Sequence, residues 1–458
     1  TPSAQLKKCF TLQNLFVLDN FFSAYNQTKK QRDNSGDENV NRNIVVAAES
    51  VCAARQVRAR CHSKNHSKQR RFHHGDCYIL FVAKLRKKIS LQVNEILREL
   101  AGNFWRIRNF YGAVGVGFLD GYFVYNEPNS QTIWVSALND GTSVDPLDYA
   151  SVDGSPDNLV TLIVDHREVW CFGTNSVEVW YDAGLPTFPL ARIQGAYNEI
   201  GCLAAYSVAK LDNGLFWLGC DARGNGIVYR SKGYSGERIS THAVEWQIQQ
   251  YSNLSDATAY TYQQDGHSFY VLNFPTANTT WVYDVATGAW HERAGWENDA
   301  FTRTRGNCQM NFNNTIVIGD YRVGELYAYD NNVYAEAGTR QKWLRSWRAL
   351  PTGQNDLNRT AQHSLQLDCE TGVGISGDEP TPGVNPQVML RWSDDGGHTW
   401  SNEHWRSMGK IGQTGYRTIW RRLGMTQKLR DRVYELSGTD PVKIAIMGAE
   451  LHVSPTNA

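Results

Sequence analysis

The chain has no C-x-x-C pair, and its nine cysteines (Cys9, Cys52, Cys61, Cys77, Cys171, Cys202, Cys220, Cys308 and Cys369) are an odd number. That argues against a disulfide framework and fits buried free thiols in a reducing cytosol. No apolar run approaches the ~18 residues of a membrane span, so none is expected. Residues 9–22 are interrupted by Gln13, Asn14, Asp19 and Asn20, so no secretory leader is expected either. Without a secretory route, the N-x-S/T triplets at Asn253, Asn278 and Asn313 carry no glycosylation meaning. A soluble chain is expected. There is no G-x-x-x-x-G-K-S/T, no G-x-S-x-G and no H-E-x-x-H, which removes the commonest phosphate-cradle, hydrolase-elbow and metalloprotease readings.

The first hundred residues lack other things. They hold none of the 15 Trp and only two of the 39 Gly. They carry 18 Lys+Arg against 8 Asp+Glu, a balance of +10, while residues 101–458 carry 28 against 38, a balance of −10. Two compositions are joined in a chain whose formal charge is zero.

What is present begins after residue 100. One phrase, an apolar and aromatic run followed by a turn and a second run, occurs five times at intervals of 47, 47, 53 and 47 residues. The first halves are Tyr122-Phe-Val-Tyr125, Val169-Trp-Cys-Phe172, Phe216-Trp-Leu-Gly219, Phe269-Tyr-Val-Leu272 and Ile316-Val-Ile-Gly319. The second halves are Ile133-Trp-Val135, Val177-Glu-Val-Trp-Tyr-Asp182, Ile227-Val-Tyr229, Trp281-Val-Tyr-Asp284 and Leu326-Tyr-Ala-Tyr-Asp330. A fixed period built from paired short strands is the signature of a β-propeller, one blade per period. An all-β fold is therefore expected, with five visible blades. A sixth would have to come from 104–119 with 77–84, or from segments after 340.

The expected organisation is a basic N-terminal segment of uncertain fold (1–100), a propeller body (101–340), a polar connector (341–360) and a small C-terminal β-sandwich (361–458). Strands are expected in the last part at Gln362–Asp368, Val388–Trp392, Tyr416–Arg421, Arg432–Leu436 and Val442–Val453. Gly112-Ala-Val-Gly115-Val-Gly117 is mis-spaced for a dinucleotide fold and reads as a strand whose glycines admit close neighbours.

The sharpest motif is Ser393-Asp-Asp395-Gly-Gly397-His-Thr399-Trp400, which matches the Asp-box S-x-D-x-G-x-T-W at every defined position. Asp395 is expected to bond turn amides, Gly397 to take a conformation other residues resist, and Trp400 to pack the following strand. Asp-boxes occur in sialidases, which suggests a carbohydrate enzyme. The plainer reading is a stapled hairpin, and it is preferred because the box lies outside the repeats. A sialidase also needs a triad of carboxylate-clamping arginines, and Arg106-Ile107-Arg108 lacks the proline of the usual first phrase. Asp394-Asp395 and Asp37-Glu38 are adjacent, would face apart, and read as solvated turn carboxylates rather than a glycosidase pair.

Cys52, Cys61, His62, His66, His73, His74 and Cys77 fall within 26 residues, yet only His62 and His66 have zinc-like spacing, so no metal site is expected. The basic run from Arg55 to Lys88 could meet phosphates, but its few aromatics (Phe72, Tyr78, Phe81) favour a solvated or subunit-contacting face.

Several phrases together resemble a known family. Gly121-Tyr-Phe, Trp170-Cys-Phe-Gly-Thr-Asn-Ser-Val-Glu-Val-Trp180, Leu390-Arg-Trp-Ser-Asp-Asp-Gly-Gly-His-Thr-Trp400, Gly409-Lys-Ile-Gly412 and Arg417-Thr-Ile-Trp-Arg-Arg-Leu-Gly424 are similar to the packaged-DNA stabilisation proteins of short-tailed bacteriophages (podovirus type). The resemblance covers roughly 101–458. It implies a structural tail hub, or nozzle: a homohexameric ring of propellers below the portal and adaptor. It also implies contacts with tail spikes or fibres and a tail-tip plug or needle, around packaged double-stranded DNA. It brings no catalytic residues and no cofactor, and places the product in the virion tail after synthesis in the host cytoplasm. The first hundred residues depart from the family pattern, as a lineage-specific extension or an altered reading frame. The −10 body agrees independently, because a cationic bore would hold the phosphates of passing DNA.

Overall fold

The computed structural model describes residues 112–348, 359–426 and 432–456. The described residues fall into two compact units, divided between Ala259 and Tyr260.

The described part of the first unit holds three antiparallel meanders. The first runs Val116–Leu119, Tyr122–Asn126, Thr132–Val135 and Tyr149–Ser151, and the second Leu159–Asp165, Glu168–Gly173, Val177–Asp182 and Leu190–Asn198. The third runs Ala209–Leu211, Gly214–Asp221, Gly224–Lys232 and Ser235–Arg238, with Gly201–Cys202 pairing alongside Gly214–Asp221. The repeated phrases are the two middle strands of each meander. These strands are covered on both faces, so they read as unbroken apolar runs: in Gly214–Asp221 every residue but the last is buried. The first and second meanders share a core of Leu119, Val124, Ile133, Leu162, Val169 and Trp180. The second and third share another, with Phe172, Val179, Leu215, Trp217 and Tyr229.

Each meander opens with the same turn. Its two central residues have positive φ: Asp120 and Gly121 at 48° and 100°, His166 and Arg167 at 48° and 63°, and Asp212 and Asn213 at 48° and 57°. That is the type I′ geometry, whose twist matches the flanking strands. The 53-residue interval has a local cause. An α-helix, His242–Gln249, follows the third meander, with the Thr241 hydroxyl accepting from the Val244 amide at its N-terminus.

Val116–Leu119 pairs with Tyr122–Asn126 and is the opening strand of the first meander, so it is not part of a sixth blade. Its glycines do admit close neighbours. A Cβ on Gly117 would lie 2.4 Å from Val164 Cγ2, and the Gly115 amide donates to Asn126 Oδ1 at 2.7 Å.

The fourth meander, whose first strand begins two residues before the boundary, runs Thr258–Gln264, His267–Phe274, Thr279–Asp284 and Ala289–Glu292, and a three-stranded fifth in the second unit runs Gly306–Phe312, Thr315–Asp320 and Leu326–Ala328. Both open on positive-φ pairs, Asp265 with Gly266 and Asn313 with Asn314. Tyr260, Tyr262, Val271, Val282 and Ile318 form their common core. Among the described residues these are five meanders, one for each phrase.

The C-terminal β-sandwich has a four-stranded sheet in the order Trp343–Arg348, Val433–Gly438, Gln387–Ser393, His404–Ser407. Its three-stranded partner is ordered Thr418–Met425, Thr360–Cys369, Ile446–Pro455. Leu365, Leu367, Val388, Leu390, Trp420, Leu423, Tyr434 and Leu436 fill the space between them. Trp343–Arg348, read from sequence as part of a connector, is an edge strand here. Its Trp343 and Trp347 pack on this core while Arg345 and Arg348 stay exposed. No helix among the described residues is long and apolar enough to cross a membrane.

Candidate functional site

The Asp-box occupies the turn between Gln387–Ser393 and His404–Ser407, two strands paired from Gln387 opposite Ser407 to Leu390 opposite His404. The Ser393 hydroxyl donates to Asp395 Oδ1 at 2.6 Å and accepts from the Gly397 amide at 2.8 Å. Asp395 also accepts from the Thr399 amide at 2.8 Å and, through Oδ2, from the Thr399 hydroxyl at 2.6 Å. The Ser393 hydroxyl, then the Thr399 hydroxyl and amide, hold the Asp395 carboxyl far below its ordinary value. Gly396 and Gly397, with φ of 75° and 99°, carry the chain through this turn. Past it, the Ser401 amide donates to the Trp392 carbonyl at 2.8 Å, closing the hairpin. The Trp400 ring lies under the Arg391 guanidinium at 4.6 Å, on the strand before the turn.

Asp394 and Asp395 point to different partners. Asp394 meets Arg432, with Nε at 2.7 Å from Oδ1 and Nη2 at 2.9 Å from Oδ2. It is therefore an ion-paired carboxylate only 19% exposed, a correction to its reading as a solvated turn residue. Burial works against the charge on Arg432, but the Asp394 carboxylate and the Tyr434 hydroxyl together outweigh it, and the guanidinium is held charged. Arg432 also donates to the Leu423 carbonyl at 2.6 Å and stacks on Trp392 and Tyr434. One cation thus ties the box hairpin to both sheets. Nothing in the local sequence marks this link, because its partners are 38 residues apart.

With each carboxylate committed to a structural partner, the arrangement is suited to holding a hairpin and leaves neither acid free to act on a glycan. The candidate zinc cluster from Cys52 to Cys77, Arg106 and Arg108, Asp37-Glu38 and the basic run from Arg55 to Lys88 lie outside the described residues. Among the described residues no three His, Cys, Asp or Glu side chains converge as a metal site. Cys171, Cys202, Cys220, Cys308 and Cys369 are free thiols. Burial pushes the Cys202 thiol up to about 12, well outside the reactive range.

Comparison with known proteins follows the two-part fold. Residues 109–363 match the protein family described as bacteriophage P22 Gp10, beta-propeller, and residues 343–454 match bacteriophage P22 Gp10, beta-sandwich. The matches overlap at 343–363, where the edge strand Trp343–Arg348 lies. A search of curated protein sequences finds no match. Solved structures similar to the chain are distant. An exo-beta-1,3-galactanase from Phanerochaete chrysosporium is 10% identical, covering 74% of this chain and 95% of its own, with a TM-score of 0.27. A chain of a nidogen/laminin complex is 13% identical, covering 48% and 75%, with a TM-score of 0.29. The chain belongs to the bacteriophage P22 Gp10 family, tail hub proteins of short-tailed phages built from a β-propeller followed by a β-sandwich.

Proposed function

We propose that this protein is a non-catalytic ring component of the virion tail that retains packaged double-stranded DNA and conducts it during ejection. In this reading six copies form a hub below the portal and adaptor, with tail spikes or fibres and a plug or needle attached to it. Residues 101–340 supply the propeller body and 361–458 most of the sandwich, in which the Asp-box serves as a folding staple. The observation that carries the reading is the pair of consecutive family matches across 109–454. The −10 balance of residues 101–458 supports it, because a wall that lets duplex slide must not exchange its counterions for fixed cations.

Two measurements test it. Light scattering of the purified chain is expected to give a mass near six subunits, or to show ring assembly only once the adaptor ring is added. Virions assembled without the protein are expected to package DNA and then lose it. A monomer that hydrolyses a fluorogenic sialoside would overturn the proposal in favour of a glycan-cleaving propeller.

A further inference from the structure

Three opening turns of the first unit meet through the side chains of the middle one. Arg167 reaches back to the first meander, with Nε 3.1 Å from Asp120 Oδ1 and Nη2 2.8 Å from Oδ2. His166 reaches forward to the third, with Nε2 2.8 Å from Asn213 Oδ1. Each partner is 47 residues away, one repeat in either direction. The other turns here use Asp-Gly and Asp-Asn, residues at ease with positive φ; this one holds a histidine and an arginine in it. A middle turn whose two side chains bond to both neighbours, with Arg167 the residue least at ease at positive φ, is the arrangement of a clasp.

The histidine's partners define its charge state. Nδ1 lies 2.8 Å from Asp165 Oδ2, a carboxylate that can only accept. Nε2 faces a carbonyl oxygen, which also only accepts. With the Asn213 amide oxygen facing the ring both nitrogens donate, which is the pattern of an imidazolium. In that orientation, removing one proton sets a nitrogen lone pair against the Asn213 oxygen, and the bond is lost.

The surrounding charges are few. Asp165 faces His166 from the same turn and also takes Lys210 Nζ at 3.6 Å from the third meander. Asp120 and Arg167 engage each other, and Glu168 accepts from the Tyr234 hydroxyl at 2.5 Å. Asp212 is held by Arg230 at 2.7 Å.

We propose that the His166–Arg167 turn is a pH-responsive clasp between meanders, closed on its Asn213 side while the imidazole carries two protons and released there when it carries one. The Arg167–Asp120 grip stays closed throughout. The hydrogen bonds to Asp165 and Asn213 and the Asp165 charge raise the affinity of His166 for its proton, against partial opposition from Lys210. A raised value means the added stability is present below the ordinary imidazole value of 6.5 and is lost as pH rises through the folded value.

The test is hydrogen exchange on the full chain between about pH 5 and 8, corrected for intrinsic rates, with carbon-labelled histidine to follow the ring. Amides at 212–214 are expected to lose protection several-fold as pH rises. In His166→Asn, which keeps a residue at ease in the turn but cannot titrate, that slope is expected to vanish. Arg167→Gln is expected to lower protection near Asp120 at every pH while the slope at 212–214 remains. Parallel profiles for the parent and His166→Asn, or a ring titrating at or below 6.5, would overturn the proposal.

Discussion

Arg432 and Asp394 are 38 residues apart in sequence and meet in a two-pronged ion pair whose cation is only 2% exposed. Removing one partner leaves the other charge buried and alone. Arg432→Ala is therefore expected to cost about 3–5 kcal/mol, read as a lower urea midpoint by tryptophan fluorescence. Replacing both residues with leucine should cost much less, since no charge is then stranded. Equal losses for the single and double variants would show that packing of the arginine stem dominates.

Asp395 is expected to act on the hairpin alone. Asp395→Ala should lower the melting temperature and soluble yield, with Asp395→Asn intermediate because an amide oxygen can still accept. Its depressed value means that its contribution is present above the ordinary carboxyl value of 3.8 and fades as pH falls through the folded one. Acid unfolding of the parent should therefore steepen below that value, and the alanine variant should lack this component.

Gly117 lies against the second meander. A Cβ there would sit 2.4 Å from Val164 Cγ2, a branched side chain with little room to turn. Gly117→Ala is expected to destabilise by about 1–3 kcal/mol, and Val164→Ala in the same chain should recover part of that loss. A neutral single variant would contradict the close approach.

His291 responds to acid in the opposite sense from His166. Burial, with Arg293 and Arg345 nearby, lowers its value to about 4, so it is neutral in the native state near pH 7. Its contribution is complete above the ordinary value of 6.5 and is lost as pH falls from there towards 4. His291→Phe is expected to flatten the stability profile across that window, measured by urea midpoints at fixed ionic strength.

The sequence showed the middle strands plainly because they are buried on both faces. Val169-Trp-Cys-Phe172 and Phe216-Trp-Leu-Gly219 have no polar side to interrupt the apolar run. Outer strands such as Tyr149–Ser151 and Ser235–Arg238 are short and largely exposed, so their residues look like loop. Trp343–Arg348 was missed because a sheet edge tolerates the arginines that made it resemble a connector. The Asp-box was legible because its bonds span at most four residues. Arg432 was not, because a long-range ion pair leaves no local spacing. The His166–Arg167 turn was hidden for another reason: it lacks the Gly, Asn or Asp that usually marks such a turn, and the bonds that hold it reach a full repeat away.

The single long interval has a practical consequence. Where 47 residues become 53, the addition is an α-helix between the third and fourth meanders, and the strands on either side still pair as antiparallel meanders. The array therefore counts sheets rather than residues, and its tolerance for length lies in the seams between them. A fluorophore or affinity tag placed in such a seam would leave the hydrogen-bonded ladders untouched, making the exposed Ser252 and Ser255 practical positions for labelling.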